Sequence, residues 1–184
     1  MQQINLFEVA LRYATKAHYG QTRKVNGLPM IQHPVNVSKT LKEAGFSEAV
    51  IIAGLLHDTI EDTSVTLEDI KRLFGEEIAK IVAGNTENKS RPWEERKQHT
   101  IDWIKIAPIE VKALIVADKL DNLTSIMEGY NVLGEELWKF FKKGKSHQKW
   151  YFSGVAANMN YKLNYNQIPN FFFQYDEKVR EFFE

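Results

Sequence analysis

No cysteine occurs in the 184-residue chain, so disulfides and zinc–thiolate sites are excluded. The lack suits a reducing compartment such as the cytoplasm. Charge of either sign is not in excess, since 24 Lys and Arg balance 24 Asp and Glu. A neutral chain of this kind is not expected to be a general nucleic-acid or membrane-surface binder, although it leaves room for a local basic patch. The N-terminal stretch MQQINLFEVALRYATKAHYG has no long apolar run; Glu8 and Arg12 interrupt it, so neither a signal peptide nor a membrane span is expected there. Internal repeats, low-complexity tracts and strong β-hairpin signals are also missing, and the expected fold is all-α. Hydrophobic residues make up 43% of the chain, and a domain of this length buries about 70% of its unfolded surface without needing staples.

A further absence is local. From Glu43 to Ile70 there is no Lys or Arg, while seven acidic residues fall in that window. Within it lies AVIIAGLLHDTIED, residues 49–62, where an apolar run ends abruptly in His57-Asp58 and Glu61-Asp62 follow one turn later. The run is long enough for a buried helix. On a helix His57 would stand over Glu61, and Asp58 over Asp62. Carboxylates beside a buried helix need hydrogen bonds, a cation or a metal, and His beside Asp offers the mixed donors that a divalent transition ion accepts. The alternative is a helix end fraying into a solvated acidic loop, and a lone His-Asp pair would favour that reading.

The rest of the chain supplies matching residues. Residues 4–18 read as an amphipathic helix ended by Gly20. The polar stretch GQTRKVNGLPMIQHP is a loop carrying Arg23 and Lys24, and His33 stands just before a helix opened by Pro34 and running to 44. Ser47 is placed to cap the central helix. Residues 66–83 read as one or two short helices broken near Gly75, and 84–92 as a loop. Trp93 to Ile106 form a helix, and Pro108 opens another. In that one, ALIVADKLDNLTSI ends an apolar run in Asp118, with Asp121, Asn122 and Ser125 following at helical spacing. GYNVLG, residues 129–134, reads as a turn, 135–163 as helical, and FFFQYDEKVREFFE as a terminal helix with Phe172, Tyr175, Val179, Phe182 and Phe183 on one face. Thus His33, His57, Asp58 and Asp118 stand at helix ends or within helices, as in metal sites built between facing helices.

The ordered segments HYGQTRKVNGLPMIQHP, LLHDTIEDT and ADKLDNL resemble the hydrolase domain of the RelA/SpoT homologues in the HD superfamily, over roughly residues 5–155. The 184 residues leave no room for a synthetase domain, so the likeness is to the small stand-alone alarmone hydrolases, including the animal SpoT homologue. The resemblance implies an HD-domain helical bundle, taken as 1–163; the residues beyond it, 164–184, are expected to form a linker and an aromatic C-terminal helix that docks on the core or on a subunit partner. It implies removal of the 3′-pyrophosphate of ppGpp or pppGpp with Mn2+ as cofactor. By motif match, His33, His57, Asp58 and Asp118 fall on the metal ligands, and Glu61 and Asp62 on the water-activating pair. Arg23, Lys24 and Asn122 fall on nucleotide contacts. The implied setting is cytoplasmic, with a small-molecule nucleotide as substrate, no nucleic acid or membrane, and self-association left open.

His18 lies in the first motif and is expected to hold its loop by a hydrogen bond. His99 and His147 match no ligand position. The chain departs from the family at two places: Met30 stands where Tyr is common, and Thr124 where Arg is common. The second removes a cation from the substrate side. Two other functions therefore compete: phosphatase action on another nucleotide, such as the 2′-phosphate of NADPH or a nucleoside monophosphate, and nucleotide binding without catalysis.

Overall fold

The computed structural model describes residues 5–184. Ten α-helices follow one another: α1 (Leu6–Ala17), α2 (Gln32–Glu43), α3 (Glu48–Leu56), α4 (Thr59–Asp62), α5 (Leu67–Phe74), α6 (Glu76–Asn85), α7 (Trp93–Ile106), α8 (Ile109–Leu133), α9 (Lys145–Met159) and α10 (Asn170–Phe183). Two 3₁₀ segments, Gly134–Phe140 and Tyr165–Gln167, join the last three. The described residues contain no strand, only an isolated antiparallel bridge between Thr22 and Pro29. That bridge folds the polar loop back on itself and sets the approach of Arg23.

Two helices carry the core. α3 is apolar all round, and Val50 and Ile52 to Leu56 are buried. α8 buries every residue from Val111 to Lys119. Within that run Lys112 is buried, and its ammonium donates to the carbonyls of Lys105, Met159 and Tyr161 at 3.2, 3.3 and 3.0 Å. Three protons thus meet three carbonyls, which satisfies a charge that burial otherwise penalises. α2 crosses α3 closely at Gly54. A Cβ there would stand 2.9 Å from Leu41 Cδ1 and 3.1 Å from the Ser38 backbone, so only glycine allows this approach. Ser38 Oγ fastens the crossing by donating to the Ile51 carbonyl at 3.0 Å.

Several ends follow local chemistry. Thr66 and Asp69 form a capping box on α5, and Gly75, at φ 94°, turns α5 into α6 in a region that disfavours other residues. α10 lays Phe171, Phe172, Tyr175, Val179 and Phe183 into the core, where Tyr175 Oη donates to the Phe152 carbonyl at 3.0 Å.

Four local expectations change. The stretch read as helical over 135–163 is divided into the 3₁₀ segment Gly134–Phe140 and α9, Lys145–Met159, with non-helical residues between them. The helix read across 49–62 stops at Leu56, and His57-Asp58 form a turn before α4. Thr59 Oγ1 donates to the Leu56 carbonyl at 2.7 Å, a local bond that competes with the helical ladder. His33 lies inside the first turn of α2 rather than before it. The stretch 129–134 is not a turn: α8 runs through Leu133 and stops at Gly134, φ 55°.

Candidate metal centre

The two imidazoles are aimed by their Nδ1 atoms. His57 Nδ1 lies 2.9 Å from the Gly54 carbonyl; a carbonyl only accepts, so Nδ1 carries the proton and Nε2 presents a lone pair. His33 Nδ1 lies 2.7 Å from Asp121 Oδ2, which fixes its ring in the same sense. The two Nε2 atoms then face each other at 3.1 Å. Two lone pairs that close repel unless a cation lies between them. Asp58 spans the pair, with Oδ1 3.2 Å from His57 Nε2 and Oδ2 3.4 Å from His33 Nε2. Asp118 Oδ1 closes from α8, 3.3 Å from His33 Nε2 and 3.9 Å from His57 Nε2.

These spacings fit a shared ion. Donors at about 2.1 Å from a divalent metal stand roughly 3.0–3.4 Å apart at adjacent positions. The donor atoms of His33, His57 and Asp58 all lie within 4.8 Å of one another, and Asp118 Oδ1 adds a fourth donor within 3.9 Å of both imidazole nitrogens. Two neutral nitrogens and two carboxylates leave further positions open to water and substrate, and suit several divalent ions. Both Asp118 oxygens are also held. Oδ2 accepts from Lys119 Nζ at 2.6 Å and Oδ1 from Asn122 Nδ2 at 2.5 Å.

Charge is arranged accordingly. Burial alone would pull His33 down, but Asp118, Asp121 and Asp58 raise it to about 9. Burial also opposes ionisation of Asp118, yet Lys119 and the two imidazoles hold it well below the usual carboxylate range. Lys119 in turn stays charged against burial because Asp118 faces it. Without an ion, the pocket therefore keeps a proton on His33 as its compensating positive charge.

Glu61 behaves differently. Burial raises its carboxyl to about 7, with Asp58 and Glu87 adding to the rise and the Glu87 N–H opposing it. That N–H donates to Glu61 Oε1 at 2.8 Å. Asp62 is more exposed and pairs with Lys89. Its carbonyl accepts from Gln21 Nε2 at 2.7 Å, and Gln21 Oε1 lies 2.8 Å from His18 Nδ1. His18 is buried and ties the loop after α1 to the end of α4.

The basic loop is placed less simply. Arg23 Nη1 pairs with Asp121 Oδ2 at 2.6 Å, and Asn36 Nδ2 donates to Asp121 Oδ1 at 2.8 Å. Arg23 thereby supports the carboxylate that orients His33. Lys24 is exposed. Asn122 faces Asp118. Lys149 donates to the Phe183 carbonyl at 2.7 Å and so ties α9 to the end of α10. His99 and His147 are exposed, and His147 meets the Trp93 ring edge-on.

Sequence reasoning assigned no role to Asp121. A signal was available: Asp121 follows Asp118 by three residues on one helix face, and a ligating histidine commonly donates its other N–H to a carboxylate. Glu87 and Lys89 carried no motif signal.

The class of protein follows from this geometry and from comparison. A model of the HD domain family matches residues 10–133, and the chain belongs to that family. Among known proteins it is similar to the Danio rerio guanosine-3′,5′-bis(diphosphate) 3′-pyrophosphohydrolase MESH1, 37% identical over 119 residues covering 63% of this chain and 66% of that protein. An Aquifex aeolicus guanosine-3′,5′-bis(diphosphate) 3′-pyrophosphohydrolase is 35% identical across 94% of this chain, which spans only 25% of that longer protein. Two solved structures are also similar. A Listeria monocytogenes EGD-e protein has 51% identity and a TM-score of 0.78 over 82% of this chain and 93% of its own. A metazoan ortholog of SpoT, described as hydrolysing ppGpp, has 28% identity and a TM-score of 0.81 over 98% of this chain and 97% of its own.

Proposed function

We propose that the chain is a metal-dependent guanosine 3′,5′-bis(diphosphate) 3′-pyrophosphohydrolase that uses Mn2+ and releases pyrophosphate from ppGpp or pppGpp. The observation that carries the reading is the convergence of His33, His57, Asp58 and Asp118 beside a buried carboxyl, Glu61, poised near neutrality. The four would hold the ion. When bound, a divalent ion lowers the pKa of water and polarises a phosphoryl oxygen.

The chain's own residues do the rest. Glu61 accepts the proton of the attacking water, since a base titrating near the working pH is the effective one. Asp62, already paired with Lys89, supports the loop instead. Asn122 and Lys119 orient Asp118. Arg23 and Lys24 neutralise the leaving pyrophosphate, with Arg23 reaching it through the nitrogens not engaged by Asp121. The similarity to guanosine-3′,5′-bis(diphosphate) 3′-pyrophosphohydrolases supports ppGpp as the substrate. Cytoplasm is the setting this reading requires, with a free nucleotide and no nucleic acid; no described helix is long and apolar enough to cross a membrane.

One observation favours a second reading. Arg23 is engaged by Asp121, which leaves less free positive charge for a pyrophosphate. A nucleotide phosphomonoester, such as the 2′-phosphate of NADPH, would need fewer cations. Incubation of ppGpp, NADPH and nucleoside monophosphates with Mn2+ decides between them. The proposal expects pyrophosphate from ppGpp. Orthophosphate from the others, with ppGpp untouched, overturns it.

A further inference from the structure

The segment between α6 and α7 supplies none of the four metal-site donors, yet it grips both residues of the acidic pair. Thr86 closes α6, its hydroxyl donating to the Val82 carbonyl at 2.9 Å. Glu87 then points its main chain toward α4 and its side chain toward α7. The N–H donates to Glu61 Oε1 at 2.8 Å. The carboxylate accepts from Lys97 Nζ at 2.6 Å and pairs with Arg96. These three side chains are only 9%, 16% and 17% exposed for Glu87, Lys97 and Arg96. Two residues on, Lys89 pairs with Asp62 and stands 3.8 Å from Glu61 Oε2.

This is a costly arrangement unless every charge is met, because ions leave water reluctantly. It is met: burial opposes ionisation of Glu87, but Lys97, Lys119 and Arg96 keep it below the ordinary carboxylate value. Glu87 is therefore a fixed anion whose carboxylate is fully engaged, and it is not a further metal ligand. What it fixes is the loop. Glu61 sits on a helix of four residues, and a glutamate side chain has rotamer freedom to lose. A single donor on a loop tied to Arg96 and Lys97 selects one orientation, which a proton acceptor needs to stay within reach of its proton.

We propose that Glu87 is a positioning residue for the reaction. Clamped by Arg96 and Lys97, it holds its own main-chain N–H against one oxygen of Glu61, so that the other oxygen is left to take the proton. The inference rests on Glu61 as the proton acceptor. Arg96 and Lys97 serve the site only through Glu87.

The test uses the full chain loaded with Mn2+ and the variants Glu87→Gln, Glu61→Gln and the double variant. Metal content, kcat and KM for ppGpp, and hydrogen exchange at the residue 87 amide are measured on each. Glu87→Gln is expected to keep metal and KM, to lose about 10- to 100-fold in kcat, and to lose protection at that amide. In the Glu61→Gln background it should lower kcat no further, because the two act as one unit. A merely structural role would lower thermal stability and give equal losses in both backgrounds. Equal losses, an unchanged kcat, or an unchanged amide each overturn the proposal. Lys97→Gln weakens the clamp from its other end and serves if Glu87→Gln does not fold. If the wild-type chain leaves ppGpp untouched, the substrate reading falls alone, and exchange at the residue 87 amide still decides the clamp.

Discussion

Removing the ion should invert the pH dependence of stability. In the ion-free chain His33 titrates at about 9 against an ordinary 6.5, because Asp118, Asp121 and Asp58 overcome its burial. A folded-state pKa raised above the unfolded value contributes stability that is fully present below pH 6.5 and is lost as pH rises through 9. At about 1.4 kcal/mol per unit the loss is on the order of 3 kcal/mol. For a domain of this size that corresponds to a fall in Tm of roughly 6–12 °C. Glu61, raised to about 7, is mostly ionised in the upper half of this window, so most of the slope there belongs to His33. In the loaded chain His33 Nε2 would hold the ion, the proton would become a competitor, and stability should rise with pH over the same range. Calorimetric titration with Mn2+ at pH 7.5, in buffers of different ionisation enthalpy, should accordingly show close to one proton released per ion. A chelated chain whose Tm is flat or rising between pH 7 and 9.5, or binding without proton release, would refute this account of the site's charge.

Glu61→Gln should retain the ion and lose ~10²–10⁴ in kcat, whereas Asp62→Asn, at a carboxylate already paired with Lys89, should cost far less under the proposed assignment; equal losses would return the two acids to equal rank. Gly54→Ala places a methyl 2.9 Å from Leu41 Cδ1 and 3.1 Å from the Ser38 backbone. It should cost about 1–3 kcal/mol by overpacking and weaken metal affinity by moving His33 from His57; denaturant unfolding and a metal titration read the two effects. Asp121→Asn should weaken metal affinity about 10- to 100-fold by loosening His33. Arg23→Ala should raise KM more than it lowers kcat and also weaken the ion, since Arg23 steadies Asp121; steady-state kinetics at saturating and limiting metal separate the two.

Much of this was legible because periodicity and punctuation are local. Trp93–Ile106 began and ended as its pattern indicated, Gly75 divided α5 from α6, and the apolar runs before His57 and Asp118 were buried. The all-α class followed from the same signals. The stop at Leu56 was not legible, because it depends on Thr59 competing for a carbonyl. Nor was the length of α8, where Gly129 gives no break because its bare Cα lets Val25 and Leu137 pack against it. At the site, the His and Asp residues stood out as residue types. Their supports did not: Asp121 meets Arg23 from 98 positions away, and Glu87 reaches Glu61 through its main chain, which no side-chain motif records.

The central claim is that His33, His57, Asp58 and Asp118 share one ion on which pyrophosphate release depends. Metal content and pyrophosphate released from ppGpp, measured on the same preparations of wild type and Asp118→Ala, test it most directly. The account predicts one divalent ion per wild-type chain with turnover that chelator removes and Mn2+ restores, and neither ion nor turnover in Asp118→Ala. A metal-free Asp118→Ala chain that still releases pyrophosphate at the wild-type rate would contradict it.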